Sequence, residues 1–268
     1  MIAPAKINLF LEVLGPRGDG FHEVETVLQA VSLFDLVRVT LAERFAFACS
    51  DPTLPAGEDN LAVRALRAYE RAVGRSVPVR IDLEKRIPAG AGLGGASSDA
   101  AAVLRALDRL EDDLLGGEAL LDLGAGLGSD VPFFLLGSPA ALGRGRGEVL
   151  TPIDPGAPRP VLLIVPRLSI STAEAYRLLG PVAGRPRLRE DGPFNRFEEV
   201  VFARWPELAA LRDRLAAHGV GPVRLSGSGS TLFAMPSGAE EGVAWRGAVA
   251  GWPDAPRVEL VHTLASCP

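Results

Sequence analysis

The stretch IPAGAGLGGASSDAA, residues 87–101, sets four glycines into positions 90–95, ahead of two serines and an alanine-rich run. Residues of these types in this order suit an anion. Glycines let backbone N–H groups approach a polyphosphate unobstructed and take positive φ where needed. Ser97 and Ser98 add hydroxyl donors or a cation ligand. The helix expected from about Ser97 to Leu110 turns its unpaired N–H groups and positive dipole end toward the ligand. A turn that merely packs a helix closely is the competing reading of the loop alone.

Two familiar nucleotide loops fail on context. Gly90, Gly92 and Gly95 satisfy G-x-G-x-x-G. A dinucleotide turn, however, follows its strand directly and needs a second strand ending in an acid about 20 residues on. Here Lys85 to Pro88 intervene, and DDLLGGEALLDL offers Asp112 and Asp113 with no convincing strand before them. The Walker pattern G-x-x-x-x-G-K-[ST] does not occur.

The elements that must position this loop are partly readable. Residues 5–14 and 23–41 read as strands joined by the turn-forming GPRGDGFH. Leu61, Ala65, Leu66, Tyr69 and Val73 recur at helical spacing, with Asp59 or Asn60 as cap and Gly74 as stop. VPVRIDL (77–83) alternates like a half-buried strand. TPIDPGAPRP (151–160), with four prolines in ten residues, is the best boundary between two lobes. Beyond it, 161–166 reads as a strand, 207–217 as a helix stopped by Gly219, 223–235 as two strands around a small-residue turn, and 257–264 as a strand. The class is α+β, with a cleft between lobes as the expected site.

Composition narrows the partners. The 268 residues are 47% hydrophobic and 23% charged, as in a globular chain with a sizeable core, and 28 Lys plus Arg against 33 Asp plus Glu leave a formal charge of −5. No overall basic field exists to hold nucleic acid or an anionic membrane, so a phosphate-bearing ligand needs locally placed donors. Lys6 and Lys85 are the only lysines. Cys49 and Cys267 lack metal-ligand spacing, and His22, His218 and His262 are scattered. MIAPAKINLF lacks a signal-peptide layout and no apolar run reaches membrane-spanning length, so a cytoplasmic location is expected.

Six segments in order then carry a resemblance: APAKINLFLEV (3–13), DGFHEVETVLQAVSLFD (19–35), EKRIPAGAGLGGASSDAA (84–101), GSDVPFFLLGSPAALGRGRGE (128–148), FNRFEEVVF (194–202) and LSGSGSTLFA (225–234). Together they resemble the GHMP kinase superfamily, which includes galactokinase, homoserine kinase and mevalonate kinase. The resemblance implies a two-lobed GHMP-kinase-like fold, with an N-terminal lobe similar to ribosomal protein S5 (1–155, binding ATP) and a C-terminal ferredoxin-like lobe (156–268, closing the cleft). It implies ATP as co-substrate with Mg²⁺, and a small-molecule acceptor. Within the superfamily the segments are most similar to kinases acting on the 2-hydroxyl of a methylerythritol that carries cytidine diphosphate. A mevalonate- or homoserine-type kinase is the alternative, although those substrates carry no base to stack. A regulatory protein that binds nucleotide without turnover is a second. The expected assembly is a monomer or homodimer.

Residue by residue, the resemblance implies Lys6 and Asp130 as the catalytic pair. Asp130, between a glycine-rich turn and VPFFLL, would be partly desolvated, which penalises its charged form, and Lys6 would restore it. Asn8 would share a strand face with Lys6 and orient it or bind substrate. Pro88, Ala89, Gly90, Ala91, Gly92, Leu93, Gly94, Gly95, Ala96, Ser97 and Ser98 would cradle ATP, Asn60 and Lys85 would border the adenine, and Ser98 is the candidate metal contact. Phe21, where tyrosine is common, and His22 would stack on and read the cytosine, with Tyr176 on its opposite face and Thr172 nearby. Gly227 and Ser228 belong to the second glycine motif, expected at the substrate. The roles of Asn195, Arg144 and Arg146 stay open, with solvated hairpin charges slightly preferred for the two arginines.

Overall fold

The computed structural model describes residues 1–180 and 193–268. Strands β1 (Ile2–Pro16) and β2 (His22–Leu41) open it as a long antiparallel pair. β2 changes partner along its other edge. Thr26–Gln29 pair with β5 (Ala140–Arg144), whereas Leu36–Leu41 pair with β4 (Val79–Glu84). A parallel edge strand, β3 (Ala46–Cys49), extends β4, and β6 (Val149–Pro152) extends β5. On the far edge of β1 lies the two-residue β8 (Phe194–Asn195), parallel to Phe10 and Leu11.

Helices α1 (Leu61–Val73), α2 (Gly95–Leu110), α3 (Gly116–Leu127) and α4 (Val131–Leu135) close one core with this sheet. Asn60 caps α1 by accepting the Ala62 N–H at 3.0 Å, and Gly74 ends it at φ +71°. The buried run Ala100–Ala102 lets α2 lie close to the sheet. α2 begins at Gly95, two residues earlier than its sequence implied, so the last glycine already belongs to the helix. α3 occupies the stretch where a dinucleotide fold would need its second strand.

The second sheet runs β11-β7-β10-β9, antiparallel throughout, from β7 (Pro160–Val165), β9 (Val223–Leu225), β10 (Leu232–Ala234) and β11 (Arg257–His262). Helices α5 (Thr172–Leu179), α6 (Glu198–Arg204) and α7 (Pro206–Ala217) lie between β7 and β9 in the chain, and α8 (Ala239–Ala250) between β10 and β11. Last strand beside first, then third, then second is the ferredoxin-like order. An apolar seam joins the two sheets. It includes Ala5, Ile7 and Val31 on one side, Val161, Leu163 and Phe233 on the other, and Ile87, Ala91 and Leu93 of the glycine loop at its end. The loop is thus anchored in the seam between the lobes.

Candidate active site

A cavity of about 980 Å³ opens between the lobes, lined by residues 88–97, by β1 and β2, and by the SGSGST turn (226–231). In the glycine loop the carbonyls are taken by protein donors. Lys6 N–H donates to Leu93 O at 2.9 Å, Thr231 N–H to Ala91 O at 3.2 Å, and Ser226 Oγ to Gly92 O at 3.0 Å. Among the described residues the N–H groups from Gly90 to Ser97 meet no protein acceptor. Such a row of free amides at a helix N-terminus is an anion site. The glycines also serve contacts within the protein. Gly92 has φ +77°, and a Cβ there would lie 2.3 Å from Ser226 O; at Gly94 it would lie 3.0 Å from Lys6 Cγ.

Beside the free amides stands the pair expected from the sequence. Lys6 Nζ lies 3.6 Å from Asp130 Oδ2 and donates to Asn8 Oδ1 at 2.8 Å. Asn8 in turn donates to Thr26 Oγ1 at 2.8 Å, and Thr26 to Phe10 O at 2.7 Å, so a chain of bonds fixes the ammonium. A register shift between Asn8 and Phe10 interrupts β1 next to the site, while Lys6 and Asn8 stay on one face. Lys6 is buried, but the Asp130 side chain is 36% exposed. The apolar VPFF side chains turn into the core and leave the partly exposed carboxylate at the cavity edge.

The aromatic residues expected at the base also touch one another. The Tyr176 ring stacks on His22, centroids 4.8 Å apart, with Phe197 edge-on at 4.8 Å. Phe21, 48% exposed, carries the Arg146 guanidinium 4.7 Å above its ring. Burial, helped by the Asp130 charge, pushes the Tyr176 phenol up to about 12. Arg146 is no free hairpin charge, for it donates to Glu148 Oε1 and Ala125 O, both at 3.3 Å, and borders the cavity. Arg144 does point outward, with its side chain 55% exposed, and pairs with the buried Glu25 at 3.3 Å. Thr172 Oγ1 lies 3.0 Å from Ser228 Oγ, joining α5 to the second glycine motif.

One further expectation changes, that for Ser98, and the two residues expected beside the adenine have protein partners as well. Ser98 is 1% exposed and borders a small rear cavity with Pro4 and Phe133, whereas Ser97 and Asp99 line the cleft. A helix turns about 100° per residue, so neighbouring serines cannot share its face. Lys85 does border the cleft, but its ammonium is held by Asp35 and, at 2.7 Å, by Asp99. Burial works against the Lys85 charge, yet the two carboxylates outweigh it and hold the ammonium above its ordinary range. Burial first, then the Asp35 charge, pushes Asp99 up to about 7 against the pull of Lys85. Asp35 also accepts the Arg86 and Ile87 N–H groups at 2.5 and 2.8 Å, fixing the loop's approach. Asn60 lines the cleft too, but its amide is committed to capping α1 and to Pro55 O. With Ser98 excepted, all the residues expected at the site border this one cavity. Asp35, Asp99 and Phe197 lie within the matched segments, but nothing in those segments marked a role for them. The one available clue was that the two lone lysines needed partners.

Two sheets joined at a seam, with a free-amide loop and a Lys–Asp pair at its mouth, define a GHMP kinase. Residues 60–138 match the family model for the GHMP kinases N terminal domain, and residues 184–249 that for GHMP kinases C terminal. At finer grain, the chain belongs to the 4-diphosphocytidyl-2-C-methyl-D-erythritol kinase family. It is 42% identical to the kinase of that name from Salinibacter ruber, over 87% of this chain and 88% of that one. With the Halorhodospira halophila kinase of that name the identity is 43%, over 93% and 89%. A crystal structure of a 4-(cytidine 5'-diphospho)-2C-methyl-D-erythritol kinase superposes with a TM-score of 0.83 at 38% identity, covering 98% of both chains. A homoserine kinase from Cytophaga hutchinsonii shares the fold, with a TM-score of 0.71 at 18% identity over 98% of this chain and 96% of that one.

Proposed function

We propose that this chain transfers the γ-phosphoryl group of ATP to the 2-hydroxyl of 4-diphosphocytidyl-2-C-methyl-D-erythritol. The observation that carries the reading is the Lys6–Asp130 pair, standing in one cavity between the free amides of the glycine loop and an aromatic wall. The amides from Gly90 to Ser97 bind the triphosphate. Phe21, His22 and Tyr176 take the cytosine end of the acceptor, with Thr172, Gly227 and Ser228 below it. The 2-hydroxyl oxygen forms a bond to the γ-phosphorus while the bond to the bridging β–γ oxygen breaks, and ADP leaves. Asp130 receives the hydroxyl proton. Lys6, oriented by Asn8, stabilises the charge on the transferring group. Mg²⁺ fits this chemistry as a neutraliser of phosphate charge. Ser97, at the start of α2 in the cleft, would contact the ion, with ATP's own oxygens holding it on the other side. The same reading divides the chain near residue 155, with Phe194–Asn195 crossing back to β1.

A phosphoryl-transfer assay tests it. Wild type should phosphorylate the cytidylyl substrate, Asp130→Asn should lower kcat by a factor of about 100 or more, and Phe21→Ala should chiefly raise KM for the acceptor. Transfer to mevalonate or homoserine but not to the cytidylyl compound would overturn the assignment.

A further inference from the structure

The segment FNRFEE contributes one catalytic-cavity residue, Phe197, yet four successive side chains in it grip the frame of the site. Asn195 is 2% exposed and uses every polar atom. Its Nδ2 donates to Leu225 O at 2.8 Å and to Gly227 O at 2.7 Å, and its Oδ1 accepts the Phe197 N–H at 2.9 Å. Arg196 donates to both carboxylate oxygens of the buried Glu12, at 2.6 and 2.9 Å. Phe197 meets Tyr176 edge-on, and Glu198 accepts the Leu225 N–H at 2.9 Å.

Of these contacts, the one to Gly227 leads to the reacting groups. Asn195 does not border the cavity, but Gly227 does. Gly227 sits in the left-handed region at φ +57°, and a Cβ on it would lie 3.3 Å from Lys6 Nζ, 3.3 Å from Gly92 O and 3.6 Å from Asn8 Oδ1. The glycine is thus the floor under the Lys6 ammonium. A buried carbonyl must find a donor, and the Asn195 amide supplies one on the side away from the cavity. With that amide removed, the Gly227 peptide loses the bond that holds it and can shift against the Lys6 ammonium it underlies.

We propose that Asn195 is a positioning residue for phosphoryl transfer, holding the Gly227 peptide so that Lys6 stays aimed at Asp130 and the transferring group. The proposal rests on the kinase reading above. Asn195→Asp keeps the shape and, ionised, donates neither bond; Asn195→Leu removes both without adding a charge and should behave alike. In the transfer assay kcat should fall about tenfold or more, with KM for ATP within about twofold of wild type. In a Lys6→Met background the same change should alter the residual rate by less than about twofold, because the effect passes through Lys6. A merely structural role would lower both backgrounds alike. Wild-type kcat in Asn195→Asp overturns the proposal, and so does an equal loss in both backgrounds. Equal loss in Glu198→Ala, which frees Leu225 N–H but not Gly227 O, overturns it too. Should Asn195→Asp fail to fold, Gly227→Ala approaches Lys6 from the other side and should give the same split of kcat from KM; unchanged kcat there overturns the proposal. A wild type inactive on the cytidylyl substrate would instead defeat the functional reading.

Discussion

Lys6 and Lys85 are the only lysines in a chain that otherwise uses arginine, and each ends among buried oxygens. A compact ammonium with three donors suits such cages, whereas a planar guanidinium needs a forked partner. Of the two tyrosines, Tyr69 is fully buried and Tyr176 packs against His22 and Phe197 at the cavity wall. Tyr69 donates to Asp108 Oδ1 at 3.0 Å, and burial above all holds its phenol far above the usual range, as burial holds Tyr176 at about 12. Unfolded, both would ionise near their ordinary value of 10.0. The folded protein therefore keeps protons that the unfolded chain releases, so this stabilisation is complete below pH 10 and is lost as pH rises through about 12. Absorbance titration should show no tyrosinate step near pH 10 in the native protein and two tyrosines ionising there in denaturant. A native step at pH 10 would show that one ring is open to water. At this scale the sequence was most legible where family motifs hold single residues, as at Lys6 and Asp130. Asp35 and Asp99 stayed hidden because their partner Lys85 lies 50 and 14 residues away and no periodicity encodes such a contact.

Among the elements, those with a clean period were legible: the alternation of 77–83, the apolar stripe of 61–73 with its Asn60 cap, the strand VLLIV. Those that tertiary contact alone defines were not. β8 is two residues long and exists because β1 offers it an edge. α4 is five residues with Pro132 at its start. α8 buries Gly242, Trp245 and Val249 at helical spacing, but a glycine in that row has no apolar side chain to mark it. The glycine loop was legible as an anion cradle, but part of its glycine requirement comes from elsewhere. Gly92 is pressed against the carbonyls of the SGSGST turn, and that fit is invisible until both segments are placed. Gly92→Ala would force a methyl group to 2.3 Å from Ser226 O in a backbone conformation alanine disfavours. The expected result is a stability loss of roughly 2 kcal/mol or more, read by denaturant midpoint, together with a weaker affinity for ATP. Unchanged stability would mean that the two turns separate without cost.

For the molecule as a whole, the two lobes are joined by the apolar seam, by β8 and by the two interlocked glycine turns, so the cleft is assembled from both at once. The sequence announced two lobes through the proline-rich stretch 151–160 but could not show that residues 194 and 195 return to the first sheet. This union has a practical outcome for proteolysis. A lysine-specific endoprotease has only two sites in the chain, after Lys6 within β1 and after Lys85 at the end of β4, and neither side chain is more than 6% exposed. The native protein should stay intact, and each cut should wait for an opening of the fold. Cleavage followed by mass spectrometry would then report stability without any label. Saturating ATP and acceptor should slow it, because ligands that bind only the folded chain make openings rarer. Rapid nicking after Lys85 in the native state would show that the approach to the glycine loop opens on its own. Slow, simultaneous loss of both sites would make the chain its own unfolding sensor.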